Sequence, residues 1–403
     1  MQAHLGRNPL LDPTCHVPDC EARSMPDGRL YLYGSWDVSR DYYCSAQYRV
    51  FSTADMIHWQ DHGVSFTSGQ VPWAAAGEKE MLYAPDCVEK DGKYYLYFCM
   101  TDGTEGVAEA DRPEGPFSQP VQLEARGIDP SVFVDEDGQA YYYWGQFSAH
   151  GAKLRADMLS IAEESIVDGI VTEEAHHFHE GSSVRKRNGI YYYVFADISS
   201  GKPTALGYAT SRSPLGPYTY QGIIIDNVDC DPKSWNNHGS IEEFHGQWYV
   251  FYHRSSQGSN AMRRVCAEPI FFREDGTIIP VEMTSTGAGK DFEPGEKMRA
   301  FHACRLRGQL RLLPVHGEEW ASEIAEGDTL LLKYFRLEEA AALTPELETE
   351  GEGGAEIFLD DQLLIPGKTV FPPGRYAVRL RFHPQGKMCF HALTLKPAQH
   401  GRP

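Results

Sequence analysis

The sequence predicts an all-β protein, a five-bladed β-propeller followed by a small antiparallel β-sandwich. Five segments of the chain are similar to one another, they recur at a blade-like spacing, and a second group of strand-like runs follows them. Each segment opens with a polar residue, the anchor, and successive anchors lie 67, 43, 51 and 58 residues apart. The anchors are Asp19, Asp86, Asp129, Glu180 and His238.

Each segment has the pattern of a β-hairpin. A strand leads from the anchor to a turn that contains glycine, and a second strand dense in Tyr, Phe or Trp follows. These aromatic side chains suit packing between blades. Because radial repetition leaves a central channel, anchors at the start of the innermost strands should converge at one mouth of it. The aromatic strands are predicted at 31–33, 94–97, 141–143, 191–193 and 248–250.

The propeller is predicted over residues 1–290 and the sandwich over residues 300–396. A stretch rich in Gly, Thr and Pro at 284–297 marks the boundary between them. Four strand-like runs follow the boundary and predict the sandwich, at 329–337, 355–359, 376–382 and 388–395.

Composition limits the classes of partner. Lys and Arg number 37 against 57 Asp and Glu, a net charge of −20, and no segment supplies a basic stripe, so we expect no nucleic-acid partner. We also expect a cytoplasmic protein without a membrane partner, since no apolar run has membrane-spanning length and the first nine residues hold no signal-peptide core. The nine cysteines are expected to be buried free thiols.

Carboxylates that converge in one cleft indicate acid–base chemistry. Their mutual repulsion raises the pKa of one while another stays ionised, which is what a glycoside hydrolase needs to protonate the departing oxygen and to activate water. Capping of a turn is the alternative explanation for any single Asp anchor. It does not explain why Glu180 and His238 replace Asp at matching positions, and Asp86 is the anchor that best suits a structural role.

Seven short motifs within residues 7–285 carry a further signal. They are Tyr-Leu-Tyr-Gly-Ser-Trp-Asp at 31–37, Leu-Tyr-Ala-Pro-Asp at 82–86, Gly-Ile-Asp-Pro-Ser-Val-Phe at 127–133, His-Glu-Gly-Ser-Ser at 179–183, Leu-Gly-Tyr-Ala-Thr at 206–210, Asn-His-Gly-Ser at 237–240 and Phe-Tyr-His-Arg at 251–254. In these motifs and their order the chain resembles the family 43 glycoside hydrolases, five-bladed propellers that cleave arabinose and xylose linkages in plant polysaccharides. The resemblance implies an inverting enzyme that removes α-L-arabinofuranosyl residues or β-D-xylosyl ends from oligosaccharides.

The same resemblance implies the roles of individual residues. Asp19 matches the general base, Asp129 the residue that tunes the pKa of the acid, and Glu180 the general acid. His238 matches an axial histidine near a bound cation, so no cofactor is required while a structural Ca²⁺ or another cation near His238 is allowed. The residues expected to bind substrate are Trp36, Asp86, Gln146, His238 and Arg254.

Several alternatives stay open. Another family 43 specificity, such as arabinanase or galactanase, is one, because Glu180 is followed by Gly-Ser-Ser where many members have Gly-Pro. A sugar-binding propeller without catalysis is the alternative from another class, although intact clustered carboxylates are costly for a binder. The related fructan-cleaving hydrolases use Asn-Asp-Pro-Asn-Gly, Arg-Asp-Pro and Glu-Cys motifs, which this chain lacks. The C-terminal sandwich resembles a family 6-type carbohydrate-binding module, or it buttresses the propeller.

Overall fold

The computed structural model describes residues 6–74 and 80–398. Residues 1–5, part of the segment expected to hold no signal peptide, lie outside the described residues. The described chain is built almost entirely of strands, with one short helix, α1 (Glu173–His176). Within those two ranges, no helix is both long and apolar enough to cross a membrane.

Five antiparallel sheets, here called blades one to five, follow one another along the chain, and the strands within each blade pair in sequence order. Blades one to four have four strands and blade five has three. The strands are β1 (Glu21–Ser24), β2 (Leu30–Gly34), β3 (Gln47–Thr53) and β4 (Trp59–Thr67) in blade one; β5 (Leu82–Lys90), β6 (Lys93–Met100), β7 (Thr104–Ala110) and β8 (Ser118–Arg126) in blade two; β9 (Ser131–Val134), β10 (Ala140–Trp144), β11 (Ser148–Lys153) and β12 (Val167–Thr172) in blade three; β13 (Phe178–Arg187), β14 (Ile190–Asp197), β15 (Ala205–Ser211) and β16 (Thr219–Asp226) in blade four; and β17 (Ser240–Phe244), β18 (Gln247–Ser256) and β19 (Ser259–Ile270) in blade five.

The blades close into a ring, which confirms the five-bladed propeller. The first strand of each blade contacts the first strand of the next, and β17 contacts β1. Ser240 joins the two ends of the ring, because its hydroxyl donates to the carbonyl of Cys20 at 3.0 Å and accepts from the backbone of Ala22 at 3.1 Å. The start of the chain lies beside β19, where the Leu10 amide donates to the Val265 carbonyl at 3.0 Å. The innermost strands therefore surround one axis.

The aromatic strands pack between blades as predicted. Tyr97 of blade two meets Tyr142 of blade three with ring centroids 5.3 Å apart, and Tyr143 of blade three meets Tyr193 of blade four edge-on at 5.5 Å. All four rings are fully buried. Pairs of this kind contribute about 0.5–1.5 kcal/mol beyond the area they bury. The nine cysteines are free thiols, and seven of them are buried.

The remaining strands form one antiparallel sheet that folds around a second apolar core, which confirms the predicted C-terminal β-sandwich. The longest strand, Gly374–Pro397, pairs with four other strands of this sheet. The strands are β20 (Lys297–Arg299), β21 (Arg305–Arg307), β22 (Arg311–Val315), β23 (Glu318–Ser322), β24 (Thr329–Leu337), β25 (Ala341–Leu359), β26 (Gln362–Leu363), β27 (Val370–Phe371) and β28 (Gly374–Pro397).

Glu319 of β23 ties the sandwich to blade five. Its carboxylate accepts from Ser256 and Gln257 at 3.0 Å each and pairs with Arg264 at 2.7 Å and with His16 at 3.1 Å. The hairpin between β18 and β19 is thereby held from outside the propeller.

The sandwich offers little surface for stacking on sugar. None of the large hydrophobic side chains that are exposed within residues 297–398 is aromatic. The half-buried rings of Trp320 and Phe358 are covered, the first by His391 and the second by Arg379 and Arg381. The Glu319 bonds attach the sandwich to blade five, and a role of the sandwich in carbohydrate binding stays a prediction.

Candidate active site

Four of the five anchors meet at one mouth of the axis. Asp19, Asp129 and His238 each lie two residues before the first strand of their blade, and Asp19 and Asp129 share the same left-handed backbone, with φ of 56°. Glu180 lies within β13 where the pairing register shifts. They line a cavity of about 310 Å³ formed by Asp19, Tyr43, Cys44, Tyr83, Ile128, Asp129, Gln146, Glu180, Asn236, His238 and Arg263.

Asp19 is buried but surrounded by donors. One carboxylate oxygen accepts from Arg263 at 2.7 Å and the other from the Ser35 hydroxyl at 2.7 Å. Burial favours the neutral acid, yet the charge of Arg263, aided by His238, His253 and Ser35, outweighs it and lowers the pKa of Asp19 below its usual value. Asp19 is therefore a carboxylate at neutral pH.

Asp129 has the opposite environment. Burial, followed by the charges of Glu180 and Asp19, raises its pKa well above the usual value. Its carboxylate accepts from the amide of Gly181 at 3.0 Å, which places it beside the peptide that follows Glu180. Glu180 is half-buried and accepts from the side-chain amide of Gln146 at 2.8 Å. The Asp129 and Glu180 carboxyls thus form a pair, called here the coupled pair, in which Asp129 retains a proton at neutral pH.

His238 stands between the two carboxylates. Its Nδ1 lies 3.8 Å from an oxygen of Asp19 and 3.8 Å from an oxygen of Asp129. Burial lowers its pKa even though the neighbouring carboxylates oppose the shift, so the imidazole is neutral. The ring packs on the backbone of Gly181, where a Cβ would lie 3.1 Å from it and where φ is +79°. Only glycine suits both conditions after Glu180.

His253 lies behind Asp19. Its Nε2 is held by the backbone and side-chain oxygens of Asn236, at 3.1 Å each, and its Nδ1 has no hydrogen-bond partner and lies 3.6 Å from Asp19. Burial and the charge of Arg263 lower the pKa of His253 to about 3. The ring is therefore neutral and shields the base from water.

The side chains around His238 do not form a typical binding site for a hard cation. Within residues 6–74 and 80–398, no group of three His, Cys, Asp or Glu side chains could hold a metal ion. Ca²⁺ prefers six to eight oxygen ligands. The Asp19 oxygens nearest to His238 are already engaged by Arg263 and Ser35.

Asp86, expected to bind substrate, lies deeper on the axis than the other anchors. It pairs with Tyr97 in the way that Glu21, two residues beyond Asp19, pairs with Tyr33. Asp86 lies six residues before the glycine of its turn, Gly92, whereas Asp19 lies nine residues before the glycine of its turn, Gly28. Asp86 therefore occupies the strand position of Glu21 and not that of Asp19, so the prediction that it binds substrate is wrong.

Asp86 belongs instead to an axial ion network, defined here as Glu21, Arg23, Asp86, Arg185 and Glu242. Asp86 is fully buried and receives two bonds from Arg23, at 2.9 and 2.5 Å, while Arg185 pairs with Glu21 at 2.8 Å and Glu242 at 2.5 Å. Burial and the charge of Asp86 raise the pKa of Glu21 to about 7, although both arginines oppose the shift.

The prediction that Arg254 binds substrate is also wrong. It follows His253 in β18, and successive side chains of a strand point to opposite faces. Arg254 is therefore buried on the far side, where it donates to Tyr252, to the Thr284 carbonyl and to Glu268. Its guanidinium does not reach the cavity.

Arg263 of β19 supplies the cation of the cavity. It donates to Asp19, binds Asp37 through Nε and Nη2 at 3.0 Å each, and lies 4.8 Å from the ring centre of Tyr43. The sequence offers Arg263 and Arg264 side by side, and only the strand register decides which one faces the axis.

Trp36 does not reach the cavity either. Its ring stacks on Phe51 and lies under the guanidinium of Arg49, 4.9 Å from the ring centre. It lines a separate space of about 370 Å³ between the propeller and the sandwich, together with Glu319. Gln146 and His238, by contrast, line the cavity, and their binding of substrate stays a prediction.

The remaining lining residues were not predicted from the sequence. Two cysteine thiols support the polar groups: Cys44 accepts from Arg263 at 3.5 Å, and Cys99, just behind the lining, accepts from the amide of Asp129 at 3.4 Å. Asn236 immediately precedes the motif at 237–240, which is the one local signal for it. The other unpredicted lining residues are Tyr43, Tyr83 and Ile128.

Comparison with known proteins agrees with this geometry. Residues 8–278 match the model of the family described as glycosyl hydrolases family 43. A xylosidase/arabinosidase from Thermoclostridium stercorarium is 32% identical over 347 residues, 74% of this chain and 72% of its own length. A xylosidase/arabinosidase from Humicola insolens is 34% identical over 331 residues, 66% of this chain and 95% of its own.

Solved structures are similar as well. A β-xylosidase/α-arabinofuranosidase from a compost metagenome, in complex with xylotriose, has a TM-score of 0.60 at 31% identity and covers 69% of this chain and 97% of its own. A Bacillus subtilis arabinoxylan arabinofuranohydrolase covers 98% of both chains with a TM-score of 0.61, and its 24% identity shows the shared fold alone. With the family match spanning every anchor, the chain belongs to the family 43 glycosyl hydrolases.

Proposed function

We propose that this glycosidase removes single α-L-arabinofuranosyl or β-D-xylosyl units from arabinoxylan-type oligosaccharides, with inversion at the anomeric carbon. The observation that carries the proposal is the convergence of Asp19, Asp129 and Glu180 in one cavity, where Arg263 donates to Asp19 and Gln146 donates to Glu180. The pKa of Asp19 is lowered because Arg263 outweighs burial, while burial raises the pKa of Asp129. The names of relatives, xylosidase/arabinosidase, support the choice of sugars.

Asp19 acts as the general base. As an ionised carboxylate it accepts a proton from a water molecule, and the oxygen of that water attacks the anomeric carbon. Arg263 and Ser35 fix the orientation of the carboxylate through one bond to each oxygen. The buried, uncharged rings of His238 and His253 lie beside Asp19 and exclude bulk water from it.

Glu180 acts as the general acid. It donates the proton of the coupled pair to the oxygen that leaves, on the face of the sugar opposite to Asp19. Gln146 orients its carboxyl at 2.8 Å. Asp129 keeps the pair protonated by repulsion and does not touch the bond that is cleaved. After each turnover, Asp19 releases to solvent the proton that it took from the water, and the pair regains a proton from solvent.

The cavity limits how much of the substrate enters. A volume of about 310 Å³ is at the lower end for ligand pockets, so it suits one monosaccharide unit, and the rest of the substrate stays outside. No cofactor is needed for this chemistry. A cation bound beside His238 would keep mostly water ligands, since the protein donors there are few.

Assays with 4-nitrophenyl α-L-arabinofuranoside and 4-nitrophenyl β-D-xyloside test the proposal. We expect hydrolysis of at least one, and proton NMR should show the inverted anomer as the first product. Absence of hydrolysis of both, with sugar binding intact, would point to a binding propeller. Release of the retained anomer would overturn the roles of Asp19 and Glu180.

A further inference from the structure

Phe147 is a large apolar side chain left in solvent just outside the cavity. It is 52% exposed and its backbone is left-handed, with φ of 62°. Bulky residues rarely adopt positive φ, and an exposed phenyl ring forgoes the free energy of burial. Neither feature stabilises the folded protein. A cost of this kind next to a reaction centre indicates a role in function.

The ring is nevertheless held in a fixed position. The amide of Phe147 donates to the carbonyl of His179 at 2.7 Å, and its carbonyl accepts from the amide of Glu173 at 2.8 Å. The ring itself meets the imidazole of His179 edge-on at 5.2 Å. Phe147 is thus attached to the residue that directly precedes Glu180.

The position of Phe147 in the chain defines the side of the cavity on which it lies. Gln146, the preceding residue, bonds the Glu180 carboxyl. The acid protonates the oxygen of the sugar that departs, so this sugar must lie on the Glu180 side of the mouth. Two other exposed aromatic residues, Tyr42 and Trp235, adjoin lining residues other than the acid.

We propose that Phe147 is the platform for the departing part of the substrate, stacking on the apolar face of the sugar ring attached to the cleaved oxygen. The proposal rests on the proposed function, since it presumes that Glu180 is the acid. It makes Phe147 a residue that selects for oligosaccharides over glycosides with small leaving groups. The apolar face of a pyranose and an exposed aromatic face both gain from mutual removal from water.

The test compares two substrate pairs, each a larger substrate with its methyl glycoside: xylobiose with methyl β-D-xylopyranoside, and arabinofuranosyl-xylobiose with methyl α-L-arabinofuranoside. Phe147→Ala should lower kcat/KM for the larger substrate about tenfold and leave the methyl glycoside near its wild-type value. Phe147→Tyr should keep both values. Phe271→Ala is the matched control, because Phe271 is 56% exposed and follows Ile270, which pairs with Trp248 at the opposite end of blade five.

Two results would overturn the proposal. An equal loss on both members of a pair would mean that Phe147 only supports the loop of Gln146. No loss on either would mean that the departing sugar lies elsewhere. Hydrolysis by the wild-type protein is measured separately. A wild-type protein that is inactive on all four substrates would refute the proposed function itself, whereas the two results above would refute only the role of Phe147.

Discussion

Two layers of acidic side chains lie on the axis of the propeller, one at the mouth and one just below it. At the mouth, Asp19, Asp129 and Glu180 share one close cation, Arg263, and the pKa of Asp129 is raised. In the axial ion network below, three carboxylates meet two arginines, and Asp86 accepts from Nε and Nη2 of Arg23.

The difference between the layers is a difference in charge compensation. Where each carboxylate has a guanidinium partner, the group is structural and its loss leaves a buried cation without a partner. At the mouth, three carboxylates share the single guanidinium of Arg263, and the raised pKa of Asp129 keeps a proton available for transfer. The same type of residue therefore performs chemistry in one layer and holds the blades together in the next.

The largest effect is expected at the mouth. Asp19→Asn removes the base that every substrate needs, so kcat should fall by about 10²–10⁴ on activated and unactivated substrates alike. The measurement is steady-state kinetics after circular dichroism confirms the fold, with Asp86→Asn as the matched control from the other layer. Wild-type turnover by Asp19→Asn on any substrate would contradict the assignment.

The next effect concerns stability. Asp86→Ala leaves Arg23 buried without its main partner, and the free energy of unfolding should drop by about 3–5 kcal/mol, while turnover by the folded protein stays near the wild-type value. Denaturant unfolding with activity measured at low denaturant checks both. Replacing the pair together, Asp86→Leu with Arg23→Met, should recover much of the loss. A large loss of turnover at unchanged stability would place Asp86 in the reaction after all.

A smaller effect is expected at Asp129. Asp129→Asn removes the repulsion that keeps the coupled pair protonated, so the basic limb of the pH–rate profile should move to lower pH by about one unit or more. The raised pKa of Asp129 means that its contribution to stability is present at low pH and lost as pH rises through that pKa. The Asn variant should therefore be more stable than wild type at pH 8. An unmoved basic limb would mean that Asp129 only binds sugar.

The smallest effect is expected from chelation. Since the described residues provide no three-ligand cluster around His238, treatment with EDTA should lower activity little. The comparison is kcat/KM before and after EDTA, with the fold monitored by circular dichroism. Complete loss of activity in a folded protein, restored by Ca²⁺, would show that a cation is needed for turnover.

The repeats made much of this architecture predictable. The repeated pattern predicts the number of blades and the positions of Asp19, Asp129, Glu180 and His238. Equivalent positions in the blades of a propeller lie at the same height along its axis. Asp86 shows the limit, since it lies further along its strand than Asp19 does, and only its shorter distance to Gly92 in the sequence indicates the shift.

Residues without a counterpart in the repeats could not be placed. Arg263, and not Arg254, reaches Asp19, because the parity of positions along β18 and β19 decides which face a side chain occupies. Trp36 lies in a motif that suggests a sugar site, yet Arg49 and Phe51 cover it. Such outcomes depend on packing between distant segments, which a single sequence does not show.

The central claim, that Glu180 is the acid and Asp19 the base, is tested most directly by the dependence of rate on the leaving group. Glu180→Gln should cut hydrolysis of an unactivated arabino- or xylo-oligosaccharide by about 10²–10⁴ and spare aryl glycosides whose phenolate leaves without a proton. Asp19→Asn should slow both kinds of substrate equally. Equal losses by Glu180→Gln across aryl glycosides of graded phenol pKa and the oligosaccharide would contradict the assignment, even for a member of this family.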